Sequence, residues 1–308
     1  MVDADGAASL FTGPGASALE AAALWALASV IYQRLGTEVG PLALNALKCV
    51  FAFGMMGATL VVLGGDVSLG RLEPRHWGWF ATSALLGLAI GDWAYFSALV
   101  RLGPARALIV GLLAPVVGAG LGRVALGEPL HAAMALGMLT TIGGVAWVVG
   151  ERDHVARPSR LGMVFALVAA VCQGASQVCS KLGAYAAPGA PISPLEVGIA
   201  RLGIAAVVLL LALGMRRRLA ELVRVATPVR RLARFSLACV CGTYLGIWLS
   251  MDAVVRASSV GVASTLLATS PLFAMGWVLV LRGDRPTARA VVGTLVAIAG
   301  VGILLAKW

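Results

Sequence analysis

Four ionisable residues stand inside long apolar runs of this chain: Lys48, Asp92, Glu196 and Arg201. A charge at the centre of a hydrocarbon layer costs at least about 2.5–3.5 kcal/mol, so it faces a bundle interior and has a partner. Lys48 and Arg201 lie several residues into their runs. A long basic side chain there either snorkels to the nearer surface or binds an anion. Asp92 sits deeper, beside Trp93 and Tyr95. It either pairs with Lys48 or Arg201, or it anchors a substrate ammonium or carries a proton. Glu196 falls in the first turn of its run, where the helix dipole favours an acid, and reads as interfacial.

Polar and aromatic residues form stripes at helical spacing. Gln173, Gln177 and Ser180 share one face, as do Trp25, Ser29 and Tyr32, and Tyr244, Trp248 and Asp252. Ser264, Thr265, Thr269 and Ser270 precede Pro271. One such stripe can be plain interhelical hydrogen bonding, worth about 0.6 kcal/mol on average. Several together suit a wet central cavity. The expected substrate-binding set is Trp25, Ser29, Tyr32, Lys48, Asp92, Tyr95, Gln173, Gln177, Arg201, Tyr244 and Trp248. Opposite charges between aromatic walls suit a zwitterion such as an amino acid. Pro115 and Pro271 each remove a helix hydrogen bond and are the expected hinges. Glu128 and Asp284 precede apolar runs and are expected to cap those helices.

The elements that position these residues follow from composition. Of 308 residues, 60% are hydrophobic and 12% charged, and mean hydropathy is +0.93. A soluble domain carries about 25% charge. The chain therefore reads as an all-α integral membrane protein. Ten runs are long enough to span: Ser17–Gln33, Pro41–Leu63, Trp77–Val100, Pro104–Leu126, His131–Gly150, Leu161–Ser180, Pro194–Met215, Arg234–Val255, Ser259–Leu281 and Thr287–Ala306. The acidic start, Met1 to Asp5, does not read as a cleaved secretory signal.

The second half repeats the first. Phe80, Gly87, Gly91, Trp93 and Arg101 recur as Phe235, Gly242, Gly246, Trp248 and Arg256. Pro115, Gly127, Gly137 and Gly144 recur as Pro271, Gly283, Gly293 and Gly300, with Glu128 answered by Asp284. Fainter echoes link Arg34-Leu35-Gly36 to Lys181-Leu182-Gly183, and Lys48 to Arg201. Residues 1–153 and 154–308 are thus read as two five-helix repeats. An odd number of spans makes such repeats inverted, a transporter architecture. The pairs Gly87/Gly91, Gly242/Gly246 and Gly118/Gly122 mark close helix packing.

The net charge of +10 does not point to nucleic acid, because the basic residues sit between the spans. Sixteen of the 24 Lys and Arg fall in odd-numbered connectors, which places both termini outside. The five cysteines lie within apolar runs and the three histidines at run ends or in a loop, with no metal-ligand spacing. No metal or cofactor is expected. Serine-hydrolase and zinc-protease motifs are missing, as is a phosphate-binding G-x-x-x-x-G-K-[ST] loop. An enzyme or an ATP-driven pump is disfavoured. A passive channel is too, for want of repeating rings of like charge.

The prolines of helices 4 and 9, each followed about a dozen residues on by Gly-Glu or Gly-Asp, resemble the EamA-type drug/metabolite transporter superfamily. The Trp25 stretch, the basic residue on helices 2 and 7 and Ser97-Ala98-Leu99 carry the same resemblance. It implies ten helices around a central cavity and alternating access for small metabolites, often export of amino acids or related compounds. Lys48 stands where the family usually has Arg, Asp284 where it has Glu, and Asp92 is not part of the general pattern. The family usually keeps both termini in the cytoplasm, against the charge count here. The reading is a bacterial inner-membrane secondary transporter of small polar or amphipathic metabolites, monomeric or homodimeric, in contact with membrane lipids. The alternative is a flippase for lipids or lipid-linked sugars.

Overall fold

The structure is a computed structural model and describes residues 13–38, 40–62, 72–102, 107, 110–150, 159–186, 192–226, 229–273 and 287–305. Among these residues every regular element is helical. In chain order they are α1 (Pro14–Glu38), α2 (Pro41–Val62), α3 (Pro74–Ser83, Ala84–Gly91 and Asp92–Leu102 end to end), α4 (Leu113–Ala125) and α5 (Ala132–Gly150). Then come α6 (Arg160–Ala184), α7 (Pro194–Met215), α8 (Val229–Ala238, Cys239–Leu245 and Gly246–Arg256 end to end), α9 (Val260–Leu267) and α10 (Ala288–Leu305). A short unnumbered helix, Ala220–Ala226, lies in the Arg-rich connector before α8.

The helix starts follow from local chemistry. Ser159 and Ser193 accept from Gly162 N and Glu196 N at the heads of α6 and α7. Pro194 fills the first turn of α7, where its missing N–H costs nothing. Glu196 is buried there and accepts from the Ser193 hydroxyl at 2.9 Å, so it belongs to the cap.

By length and composition, Leu42–Val62, Arg160–Ala184, Pro194–Met215 and Val229–Arg256 can each cross a membrane. Four apolar helices are shorter: Leu113–Ala125, Ala132–Trp147, Val260–Phe273 and Val291–Leu305. Large apolar side chains such as Val62, Val124, Leu139, Leu211 and Met215 are exposed, as on a lipid-facing surface.

The helices pack as an exchange between the repeats. α5 lies on α10, α2 on α7 and α4 on α9. α3 lies on α6 while its counterpart α8 lies on α1, and α4 lies on α6 while α9 lies on α1. Each contact thus recurs with the repeats interchanged, the mark of two-fold pseudo-symmetry.

Glycines set the closest approach. A Cβ on Gly144 would stand 2.5 Å from Ala297 N and 2.7 Å from Gly293 O, both backbone. Gly137 opposes Gly300 O and Leu304 in the mirrored way. These are the repeat-matched glycines of α5 and α10. Neighbouring Gly143 is exposed, with nothing within 4 Å. Gly144→Ala is therefore expected to destabilise by about 1–3 kcal/mol through overpacking. Gly143→Ala should stabilise by about 0.5–1 kcal/mol by removing a helical glycine. Thermal unfolding of both variants in detergent checks the opposite signs.

Candidate functional site

Two helices change pitch at matched places. α3 widens to a π-helix over Ala84–Gly91 and α8 over Cys239–Leu245. The Asp92 N–H reaches back to Gly87 O. Such turns are rare, leave carbonyls free for other donors, and cluster at functional sites. Those carbonyls are used here. Asn45 Nδ2 donates to Leu88 O at 2.8 Å, and Trp25 Nε1 donates to Gly242 O at 2.8 Å. Tyr32 Oη and Thr243 Oγ1 are 2.9 Å apart, beside the same turn of α8. Gly87 and Gly91 let Ser176 and Cys172 of α6 approach α3, and Gly246 accommodates the Trp25 ring.

The two basic residues of α2 and α7 are in different company. Lys48 Nζ lies 2.6 Å from Asp92 Oδ2 and 5.4 Å from the centre of the Phe96 ring. The pair is nearly buried, with side-chain exposures of 9% and 15%. Cys239 Sγ contacts Lys48 O at 3.5 Å, which ties α8 to α2. Arg201 is 3% exposed. It donates to Met251 Sδ at 2.7 Å and Ser176 Oγ at 3.0 Å, while its Nε has no partner. Among the described residues no carboxylate lies within ion-pair distance of Arg201.

At a second place the connector after α4 reaches α6 and α9. Gly127 adopts a positive φ of 66° after α4, and Glu128 N donates to Gly122 O. This turn sends the Glu128 side chain inward. Its Oε1 lies 2.7 Å from Lys181 Nζ and its Oε2 accepts from Val260 N at 2.8 Å. Lys181 also donates to Ala257 O. Glu128 thus caps α9 and not α5, correcting the expectation from sequence. The acid serves the helix packed beside it because the tight turn points it away from its own successor. Asp284 lies outside the described residues.

The EamA-like transporter family model matches residues 16–150 and 160–306. The chain belongs to the EamA-like transporter family. A crystal structure sharing 19% identity superposes with a TM-score of 0.76, covering 96% of this chain and 97% of that one, which shows the same fold. No protein of curated function matches the chain.

In this family member the expected site residues are placed unequally. Lys48 meets Asp92 at the end of the π stretch of α3, Arg201 lies against Ser176 and Met251, and Trp25 and Tyr32 lie against the π turn of α8. Tyr95 packs beside Phe96, with ring centres 5.9 Å apart. Tyr244 meets Thr59 Oγ1 at 2.7 Å and lies beside Trp248. Gln177 accepts from Ser264, and Gln173 lies next to Gly87. Ser29 does not join them: it is exposed and its hydroxyl bonds Ala26 O of its own helix. Asp252 bonds Ser17 and Arg256 instead.

Ser83, Ser176, Asn45, Phe96, Thr243 and Met251 went unnoticed in the sequence. The hydroxyls of Ser83, Ser176 and Ser180 form a chain that ends at Arg201. Small polar residues in an apolar helix read as packing residues, and nothing in their spacing singled them out. The prolines follow breaks in their helices. Pro115 lies in the first turn of α4, after a turn at Leu112, and Pro271 follows a turn at Ala268 and Thr269. Each turn lies within one helical turn before its proline, where the missing proline N–H removes a helix hydrogen bond.

Breaking one side of a buried ion pair costs about 3–5 kcal/mol. Glu128→Gln and Lys181→Met should each lower stability on that scale, and the double variant should lose less than the sum. A double-mutant cycle by thermal unfolding in detergent measures the coupling.

Proposed function

We propose that the protein is a secondary transporter that moves small polar or amphipathic metabolites across a bacterial inner membrane by alternating access. In this reading ten helices span the membrane, residues 1–153 and 154–308 form repeats inverted about an axis in its plane, and both termini lie outside. The observation that carries it is the pair of buried, repeat-matched basic residues, Lys48 and Arg201, of which, among the described residues, only Lys48 has a carboxylate within ion-pair distance. Intramembrane charge of this kind is kept where a solute or ion passes. The interruptions before Pro115 and Pro271 support a hinge at each, because a helix already broken there can re-aim without losing further hydrogen bonds. The tie of Glu128 to Lys181 and Val260 supports a state closed at that end.

A small solute fits better than a lipid headgroup. Lys48 and Arg201 are 7% and 3% exposed, and a flippase needs its basic pocket open sideways to the bilayer. With no ATP-binding loop in the sequence, the work comes from an ion or counter-solute gradient or from a partner protein.

Asp92→Asn removes the partner of Lys48 and is expected to cut or uncouple flux at least about tenfold, the loss of a charge-assisted contact of roughly 1.4 kcal/mol or more. Uptake of labelled amino acids and related metabolites into proteoliposomes, against a pH gradient series, measures it. Undiminished flux with an unchanged pH profile removes Asp92 from the transport site.

A further inference from the structure

The two repeats supply the same three places, filled differently. Lys48 corresponds to Arg201, and Phe96 to Met251 at the spacing that relates Trp93 to Trp248. The structure keeps the correspondence: Lys48 lies over Phe96, and Arg201 contacts Met251. At the same spacing Asp92 corresponds to Ile247. Ile247 is buried and faces α7, with Cγ2 4.0 Å from where a Cβ on Gly198 would stand, one turn before Arg201. Lys48 therefore has a built-in carboxylate, and Arg201 has an isoleucine in the equivalent place.

A buried guanidinium without a carboxylate is costly. Its neighbours offset little of that. A thioether is a weak acceptor, a hydroxyl is neutral, and Nε–H has no hydrogen-bond partner. Lys48, Asp92 and Arg201 together carry one positive charge in excess. The fork that Nε and one terminal nitrogen make matches two oxygens of a planar carboxylate.

We propose that Arg201 is the anion subsite of the transporter and receives a carboxylate of the transported solute where the first repeat holds that of Asp92. This rests on the transport reading above and narrows it to carboxylate-bearing solutes. The solute completes the pseudo-symmetric ion pair, and its own anion supplies the neutrality the chain lacks. Arg201 is buried in this state, so entry to the subsite requires helix motion.

The test uses the full chain in detergent, with melting followed by tryptophan fluorescence. Probes are millimolar acetate and benzoate, each against its neutral amide, and inorganic phosphate, all at matched ionic strength. The carboxylates are expected to raise the melting temperature by about 2–4 °C and the amides not at all. Ile247→Asp, which supplies an internal counter-charge, should abolish the response, while uncharged Ile247→Asn should keep it. Equal response to acid and amide, response to phosphate alone, or a response that survives in Ile247→Asp overturns the subsite. If a variant does not fold, the wild-type comparison of acid with amide still decides. Solute flux in proteoliposomes separates the two readings. Carboxylate binding with no flux of any solute leaves the subsite and removes transport. Flux of neutral or cationic solutes without a carboxylate response leaves transport and removes the subsite.

Discussion

The energetic constraint that organises this molecule is the cost of charge in a low-dielectric interior. Neither Lys48 nor Arg201 can be stripped of water without compensation. Compensation for Lys48 comes from α3, which carries Asp92 at the end of a π-helical stretch. The wider turn matters because it frees Leu88 O for Asn45, so α2 is held to α3 both there and at the ion pair. On the other side of the pseudo-two-fold Ile247 stands in the place equivalent to Asp92. The fold is nearly symmetric and its electrostatics are not.

That asymmetry is easier to maintain in an interlocked assembly than in two separate lobes. α3 packs on α6 and α8 on α1, so each repeat covers the apolar faces of the other. Glycine-lined crossings such as α5 with α10 leave no slack for independent drift. The backbone is irregular elsewhere, at the two π turns and at the turns before Pro115 and Pro271.

Much of this was legible in the sequence, and the reasons differ by residue. The repeat showed because Gly, Trp and Pro recur at fixed spacing, and those residues sit where backbones meet or break. Lys48, Asp92 and Arg201 stood out because charge is rare in apolar runs. The pitch changes at Ala84–Gly91 and Cys239–Leu245 were not legible, since a π turn has the same apolar composition as the helix around it. Glu128 was recognised as a cap but assigned to the wrong helix, because local sequence cannot tell which neighbour an acid turns toward. Ser29 and Asp252 shared helical faces with true neighbours of the turns yet face elsewhere, since a face spans more angle than one contact.

Whether the charged centre communicates with water on both sides decides the account most directly. A single cysteine at Met251, beside Arg201, in an otherwise cysteine-free chain can be exposed to a membrane-impermeant thiol reagent from either side of sealed vesicles. Labelling from each side, applied separately, is expected of a site that opens alternately. Labelling from neither side, or from one side alone, would contradict it.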